Sequence, residues 1–286
     1  MTFSFRPGLW RTLAGSTLLL ALTLFISAGP ACAQMQLPGL EDAPGAPSPA
    51  AAPKPAKPKP KRAPPPRLPS EDALLNRALA QNGRAGEMRF TRDGKDLKLA
   101  KLTFAGEKIS RPAERCTVET PSPIALDPEG KPRGVLSYKA AAPECPIAFD
   151  VLDGAVLVSA RPACEFKAAD CRVEPAGLWG QPASEIGANR TKEIERARNP
   201  AEQAMRDNFR AWVEAVRKDR DLVRRVSREQ AGFSSRRTEI CATYARESEH
   251  GYCGLLLTQA RSLALAARIA PPEEPPEPAP GRKTAR

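Results

Sequence analysis

Seven cysteines and a single histidine are the residues in this 286-residue chain with the most obvious capacity for chemistry. Cys116, Cys145, Cys164, Cys171, Cys241 and Cys253 lie beyond an N-terminal segment that reads as an export signal, and Cys32 lies inside it. An even number of cysteines in an exported chain reads as a disulfide framework. Six thiols allow fifteen pairings, and sequence does not choose among them. Their grouping along the chain suggests three neighbour pairs: Cys116–Cys145, Cys164–Cys171 and Cys241–Cys253. No Cys-x-x-Cys pair occurs, which argues against zinc and against a thioredoxin-like redox centre, so no metal or cofactor is expected. His250 has the chemistry of a general base, yet it falls among Glu247, Ser248 and Glu249 in a turn expected to be closed by a disulfide. Ordinary turn polarity is the better reading. Asp150 and Asp153 flank a hairpin with nothing to make them a catalytic pair, and no nucleophile elbow or phosphate loop is present. The expectation is a protein that is not an enzyme.

A second constellation is polar rather than reactive. Gln230 and Arg237 fall on or beside an apolar helical stripe of Phe233, Ile240 and Tyr244. Polar groups on a packed face need partners. A guanidinium there calls for a carboxylate or for carbonyl groups. Thr258 and Arg261 sit one turn apart on the following helix and either complete the same cluster or face solvent. The four residues read as a structural cluster that fixes helix register, the alternative being a ligand-facing site. Arg246 falls off the stripe.

The elements that must position these residues change character along the chain. Ser70 can cap a short helix over residues 71–80 that Asn82-Gly83 stops. Residues 86–182 read as a compact antiparallel β domain stapled by two disulfides. Within it Asp93-Gly94 marks a turn, and Leu97/Leu99 and Leu102/Phe104 alternate in two registers, as across a bulge. Asp153-Gly154 between two apolar runs, 147–152 and 155–158, is a strong hairpin signal. From residue 183 the period becomes helical. Met205, Phe209, Trp212 and Val216 form one stripe; Leu222, Val226, Phe233, Ile240 and Tyr244 a second; Cys253, Leu256, Ala260, Leu263 and Ala267 a third. Asn199-Pro200 is expected to separate a polar helix at about 184–198 from the next. The fold class is therefore α+β: a small disulfide-stapled antiparallel β domain followed by an α-helical hairpin bundle over 183–270.

The run Gln230-x-x-Phe233-x-x-x-Arg237-x-x-x-Cys241, followed by Cys253-x-x-x-Leu257-Thr258-x-x-Arg261-x-x-x-Leu265, resembles the second half of the LprI-type lysozyme-inhibitor-like domain. The likeness covers about residues 203–268. It implies a secreted, disulfide-linked helical domain, some members of which inhibit lysozyme. Phe233 stands where that family has Trp, and residues 183–229 lack the family's earlier cysteine pair.

Composition bounds the rest. Of 31 prolines, 18 fall in 34–69 and 271–286, so these two stretches are expected to be a disordered Pro/Ala/Lys-rich linker and a disordered tail. The near-alternating Pro and Lys of 53–61 should be an extended, solvated spacer, the alternative being contact with acidic envelope polymers or lipid headgroups. Arg6, Arg11, the apolar run 13–26 and Ala31-Cys32-Ala33 read as a signal peptide cleaved after residue 33. The rivals are an uncleaved anchor and a lipid-modified Cys32. Localisation is then periplasmic or secreted, with membrane contact only through the signal peptide before cleavage.

The net charge of +11 is split between the linker and the helical region rather than forming one stripe, and only 15 residues are aromatic. No nucleic-acid partner is expected. The leading expectation is a non-enzymatic envelope interaction protein whose partner is an envelope protein or a cell-wall polymer. The alternative is a lysozyme-type glycosidase inhibitor acting through the helical region, whose partner is a muramidase. Lysozymes of that kind are strongly basic, so an inhibitor needs an acidic face. The helical region has the opposite net sign, although Glu239, Glu247 and Glu249 could supply a local acidic patch.

Overall fold

The computed structural model describes residues 67–270. The expected signal peptide at 1–33, nearly all of the 34–69 linker and the 271–286 tail lie outside them. Eleven strands come first: β1 (Leu79–Gln81), β2 (Ala85–Asp93), β3 (Asp96–Lys108), β4 (Arg115–Glu119), β5 (Ile124–Gly130), β6 (Ser137–Ala140), β7 (Ile147–Leu152), β8 (Ala155–Val158), β9 (Cys164–Phe166), β10 (Cys171–Val173) and β11 (Gly177–Gly180). Four helices follow: α1 (Ala188–Ala215), α2 (Arg220–Ala242), α3 (Glu247–His250) and α4 (Tyr252–Ile269).

The sheet closes on itself. Every pairing between strands is antiparallel, in the order β2-β1-β11-β8-β7-β6-β5-β3, and β3 returns to β2. Long β3 makes the closure possible. Thr103 pairs with both Glu87 of β2 and Glu119 of β4, and Leu99 with both Phe90 of β2 and Ile124 of β5. One edge of β3 therefore carries β2 and then β10, while the other carries β5 and then β4. The two expected registers of β3 meet at Ala100, because Arg89 opposes Lys101 but Phe90 opposes Leu99. Such a bulge sharpens strand twist, which closure needs. Inward side chains fill the barrel: Met88, Phe90, Leu99, Leu102, Phe104, Phe149 and Trp179 are all fully buried. Phe90 packs on Phe149 at 5.6 Å and Phe104 meets Trp179 edge-on at 6.0 Å. This is a packed core rather than a ligand cavity. The β region is thus antiparallel and stapled by two disulfides, as expected, but it is a closed barrel rather than a small sheet domain.

The chain before β2 also departs from expectation. In place of a helix over 71–80, a single 3-10 turn spans Glu71–Leu74, with the Asp72 N–H donating to Ser70 Oγ at 3.2 Å. Leu74 drops fully buried into the barrel core. Asn82 and Gly83 both take positive φ, 49° and 68°, and link β1 to β2. That is hairpin chemistry rather than helix termination.

Two of the three bridges differ from the neighbour scheme. They are Cys116–Cys171, Cys145–Cys164 and Cys241–Cys253. Cys164 lies directly opposite Val173, so Cys171 is only its diagonal neighbour across β9 and β10. Diagonal positions are about 7–8 Å apart, beyond the reach of a disulfide. Cys171 instead meets Cys116 of β4 at a Cα–Cα distance of 5.8 Å. The strands curl around Gly106 to allow this, since a Cβ there would stand 2.1 Å from the Arg172 carbonyl oxygen.

The helices share a core with the barrel's outer wall. Leu152, Ala155 and Leu178 point outward and pack with Ile186, Ile194, Tyr252, Leu255 and Leu256. Residues 86–182 and 183–270 are therefore distinct in sequence pattern but not in packing. Gly180 leaves room for the Tyr252 ring, which a Cβ would approach to 2.9 Å. α4 is apolar on most of its surface because it has a neighbour on both sides, the wall on one and α1 and α2 on the other. Pro200 does not end a helix, contrary to expectation. α1 runs continuously through it, with Ile194, Ala201, Ala204 and Met205 buried on either side. This packing outweighs the one hydrogen bond that proline removes.

Candidate functional site

Gln230, Arg237, Thr258 and Arg261 do meet, forming the seam between α2 and α4. Arg237 Nη1 donates to Thr258 Oγ1 at 2.8 Å. Thr258 Oγ1 in turn donates to the Gly254 carbonyl at 2.7 Å. Arg261 Nε donates to Gln230 Oε1 at 3.1 Å. Both guanidiniums flank the Phe233 ring, Arg237 at 5.7 Å and Arg261 at 5.5 Å from its centroid. No carboxylate stands within ion-pair distance of Arg237 among the described residues, and a hydroxyl stands where a carboxylate or carbonyl groups were expected. Arg261 likewise has no ion pair among the described residues. Burial lowers its pKa below the usual arginine value, and its Nη2 is buried without a hydrogen-bond partner.

The seam borders a cleft of about 580 Å³, and this cleft is the candidate site. Four arginines line it, each from a different segment: Arg84 after the β1–β2 turn, Arg198 on α1, Arg237 on α2 and Arg246 in the α2–α3 link. Two carboxylates line it as well, and both are committed. Glu247 accepts the Cys253 and Gly254 N–H groups at 2.9 and 2.8 Å and so caps α4. Glu202 lies 3.4 Å from Arg206. Arg246 is paired with Glu249 at 2.6 Å, while Arg84 and Arg198 have no acidic partner among the described residues. Of the three residues that could supply an acidic patch, Glu247 caps α4 and Glu249 pairs with Arg246.

One end of the cleft is held to the barrel. The Ala245 N–H donates to the Asn82 carbonyl at 2.9 Å, and the Ala183 N–H to the Gly83 carbonyl at 3.0 Å. The Tyr244 hydroxyl donates to the Gln181 carbonyl. Gly83 is required here because a Cβ would stand 2.9 Å from the Tyr244 ring. His250, 3 % exposed, lies edge-on to the Tyr244 and Tyr252 rings. Its Nε2 is 3.0 Å from the Ala245 carbonyl and its Nδ1 accepts the Tyr252 N–H at 3.2 Å. These partners fix the tautomer with the proton on Nε2, and both ring nitrogens are engaged in holding the turn. Asp150 is paired with Arg133 at 2.5 and 2.6 Å and accepts from Ser137 at 2.6 Å. Asp153 belongs to the adjacent turn.

Among the described residues, no group of three or more His, Cys, Asp or Glu side chains could hold a metal ion, and no helix is long and apolar enough to cross a membrane. The sequence reading found the α2–α4 seam but missed Arg84, Arg198 and Arg246 as a set. They share no period, and only the docking of the Asn82-Gly83 turn onto Tyr244 and Ala245 brings them together. No protein-family model, curated protein or solved structure matches the chain. The resemblance to LprI-type domains thus rests on the spacing of the residues quoted above.

Proposed function

We propose that this is an exported, non-enzymatic envelope interaction protein that holds an anionic partner, an envelope protein or a cell-wall polymer, in the arginine-lined cleft. The observation that carries this reading is the charge balance of the cleft. Four guanidiniums line it, of which Arg84 and Arg198 have no acidic partner among the described residues, while its two carboxylates are engaged by the α4 N-terminus and by Arg206. Guanidinium forks match oxyanions in geometry as well as charge. Three disulfides in 67–270 accord with an oxidising compartment. The same balance favours this reading over muramidase inhibition, because a cationic cleft repels a basic enzyme.

The test is capture from envelope extract with the intact oxidised protein and with an Arg198→Glu/Arg246→Glu variant. The parent should retain an acidic protein or polymer that the variant releases. Equal capture by both would remove the cleft from the function, and retention of an active muramidase in an inhibited state would favour the alternative.

A further inference from the structure

A second cleft, of about 630 Å³, shares no lining residue with the arginine cleft. Its walls come from the segment before β1, the β7–β8 turn, the chain after β11 and the first turns of α1 and α4. Tyr252 reaches it from α4. The side chain is 2 % exposed, and its hydroxyl would stand 3.2 Å from a Cβ at Gly180. That hydroxyl accepts the Gln181 N–H at 3.5 Å, but its own proton has no acceptor among the described residues. A buried hydroxyl ordinarily spends its donor. Four charged side chains line the same cleft: Arg77, Arg190, Asp153 and Glu185. Arg77 lies over the β7–β8 turn, its Nη1 3.7 Å from where a Cβ at Gly154 would stand. Yet Arg77, Asp153 and Glu185 make no ion pair among the described residues. Arg190 pairs with Glu193 at 3.0 Å, in an exposed contact of little strength. Both signs act on the Tyr252 hydroxyl: burial raises its pKa, the Gln181 N–H and Arg190 lower it, Asp153 raises it and Arg77 lowers it.

The mixture of unpaired charges narrows the ligand. A purely anionic ligand would be opposed by Asp153 and Glu185, and a purely cationic one by Arg77 and Arg190. A neutral ligand filling the cleft would strip water from all four and return nothing. Tyr252, the only aromatic lining residue, offers no open ring face for stacking a sugar or a base. A ligand with one charge of each sign satisfies both sets, and the cleft volume lies within the range of small-molecule sites. We infer that this cleft binds a small zwitterion of amino-acid type, a short peptide with both ends free. Its carboxylate is held by the Tyr252 hydroxyl with Arg77 and Arg190, and its ammonium group by Asp153 and Glu185. The site is separate from the arginine cleft, so neither reading depends on the other.

The experiment is a calorimetric titration of the intact oxidised protein at pH 7 with dialanine and trialanine. Each is compared with its N-acetylated, its C-amidated and its doubly blocked form. A free-ended peptide should bind, and blocking either end should weaken it by about tenfold, the loss of one charge-assisted contact. Tyr252→Phe should weaken the free-ended peptide by a similar factor. It should leave the melting temperature nearly unchanged, because the hydroxyl's one contact in the protein is long. Two further variants read the assignment of the ends. Arg77→Gln should shrink the penalty for amidation but not for acetylation, and Asp153→Asn/Glu185→Gln should do the reverse. A structural role for these side chains would move neither ratio. Arg225→Gln, exposed on α2 and outside both clefts, should change nothing. Absence of binding by both free-ended peptides would overturn the inference. So would equal binding of the blocked forms, or end-block penalties indifferent to Arg77→Gln and to Asp153→Asn/Glu185→Gln.

Discussion

Arg237→Ala separates a hydroxyl-anchored guanidinium from a buried ion pair by magnitude alone. Breaking a buried ion pair costs about 3–5 kcal/mol, because the surviving charge is stranded. Here nothing is stranded. Thr258, 2 % exposed, keeps its hydrogen bond to the Gly254 carbonyl when Arg237 is removed. What is lost is one charge-assisted hydrogen bond from a half-buried side chain and one contact with Phe233. Together these amount to about 1–2 kcal/mol. For a domain of this size each kcal/mol lowers the melting temperature by about 2–4 °C, so Arg237→Ala should melt about 2–8 °C below the parent. Arg237→Lys should recover only part of this, because an ammonium lacks the planar fork. Reversible denaturant unfolding of parent, Arg237→Ala, Arg237→Lys and the exposed control Arg225→Ala reads the difference directly. A loss above 4 kcal/mol would refute the geometry and demand an acidic partner. A loss indistinguishable from the control would show that the seam contributes nothing to stability.

Other outcomes follow from the barrel and its tyrosines. Gly106→Ala places a Cβ 2.1 Å from the Arg172 carbonyl oxygen, where Cys116–Cys171 resists any shift, and should destabilise by about 1–3 kcal/mol. Gly94→Ala, with positive φ but nothing within 4 Å, should cost about 1 kcal/mol; equal losses would refute the close approach. All three tyrosines hold their protons more tightly folded than unfolded, chiefly through burial, with Tyr138 pushed up to about 12 and Tyr244 and Tyr252 also raised. Stability should therefore hold below about pH 10, the unfolded value, and fall as pH rises towards the folded values. Tyrosinate absorbance should appear together with unfolding, and a phenol titrating near its ordinary value in the folded protein would contradict the burial. Arg133→Ala leaves Asp150, 7 % exposed, with Ser137 alone as a side-chain partner among the described residues, and should cost about 1–3 kcal/mol in urea unfolding. Arg133 is half-exposed, which keeps this below the full buried-pair penalty.

Local signals in the sequence proved legible where the physics is local. The β3 bulge showed as a register change between Leu97/Leu99 and Leu102/Phe104, and the Asp153-Gly154 hairpin as a turn between apolar runs. The α2–α4 seam showed as polar residues at helical spacing. Closure of the barrel did not show, because it depends on the pairing of Ala80 with Gly180 across about 100 residues, through strands of three and four residues. Asn82-Gly83 carried hairpin chemistry in plain sight, but a helix-like stretch before it drew the opposite reading. Pro200 misled because propensity is a weak prior when both flanks of a helix are packed. Two of the three expected disulfide pairs misled because proximity along the chain is not proximity across the barrel strands, whereas Cys241–Cys253, closing a helix-to-helix turn, was legible. The cleft was the least legible feature, since its four arginines come from four segments that only the tertiary fold assembles.

One wall of that cleft stands on the helix with the least support. Of the 23 residues of α2, only Val226 and Cys241 are buried. The helix is held at its C-terminal end by Cys241–Cys253 and along its length by Arg237, Arg261 and Phe233. A bridge closing a loop of this size contributes about 3 kcal/mol, which is large against the sparse burial of α2 but small against the shared core of α4 and the barrel wall. Removing it should therefore loosen one element, not the fold. In a Cys241→Ser/Cys253→Ser variant, amide exchange should accelerate across 220–242, while β7, β8 and α4 keep their protection. Affinity for an anionic ligand should fall in step, because Arg237 would no longer be held against Thr258. Loss of protection in α4 together with α2 would mean that the two helices form one cooperative unit, and that the bridge secures the core rather than the cleft wall.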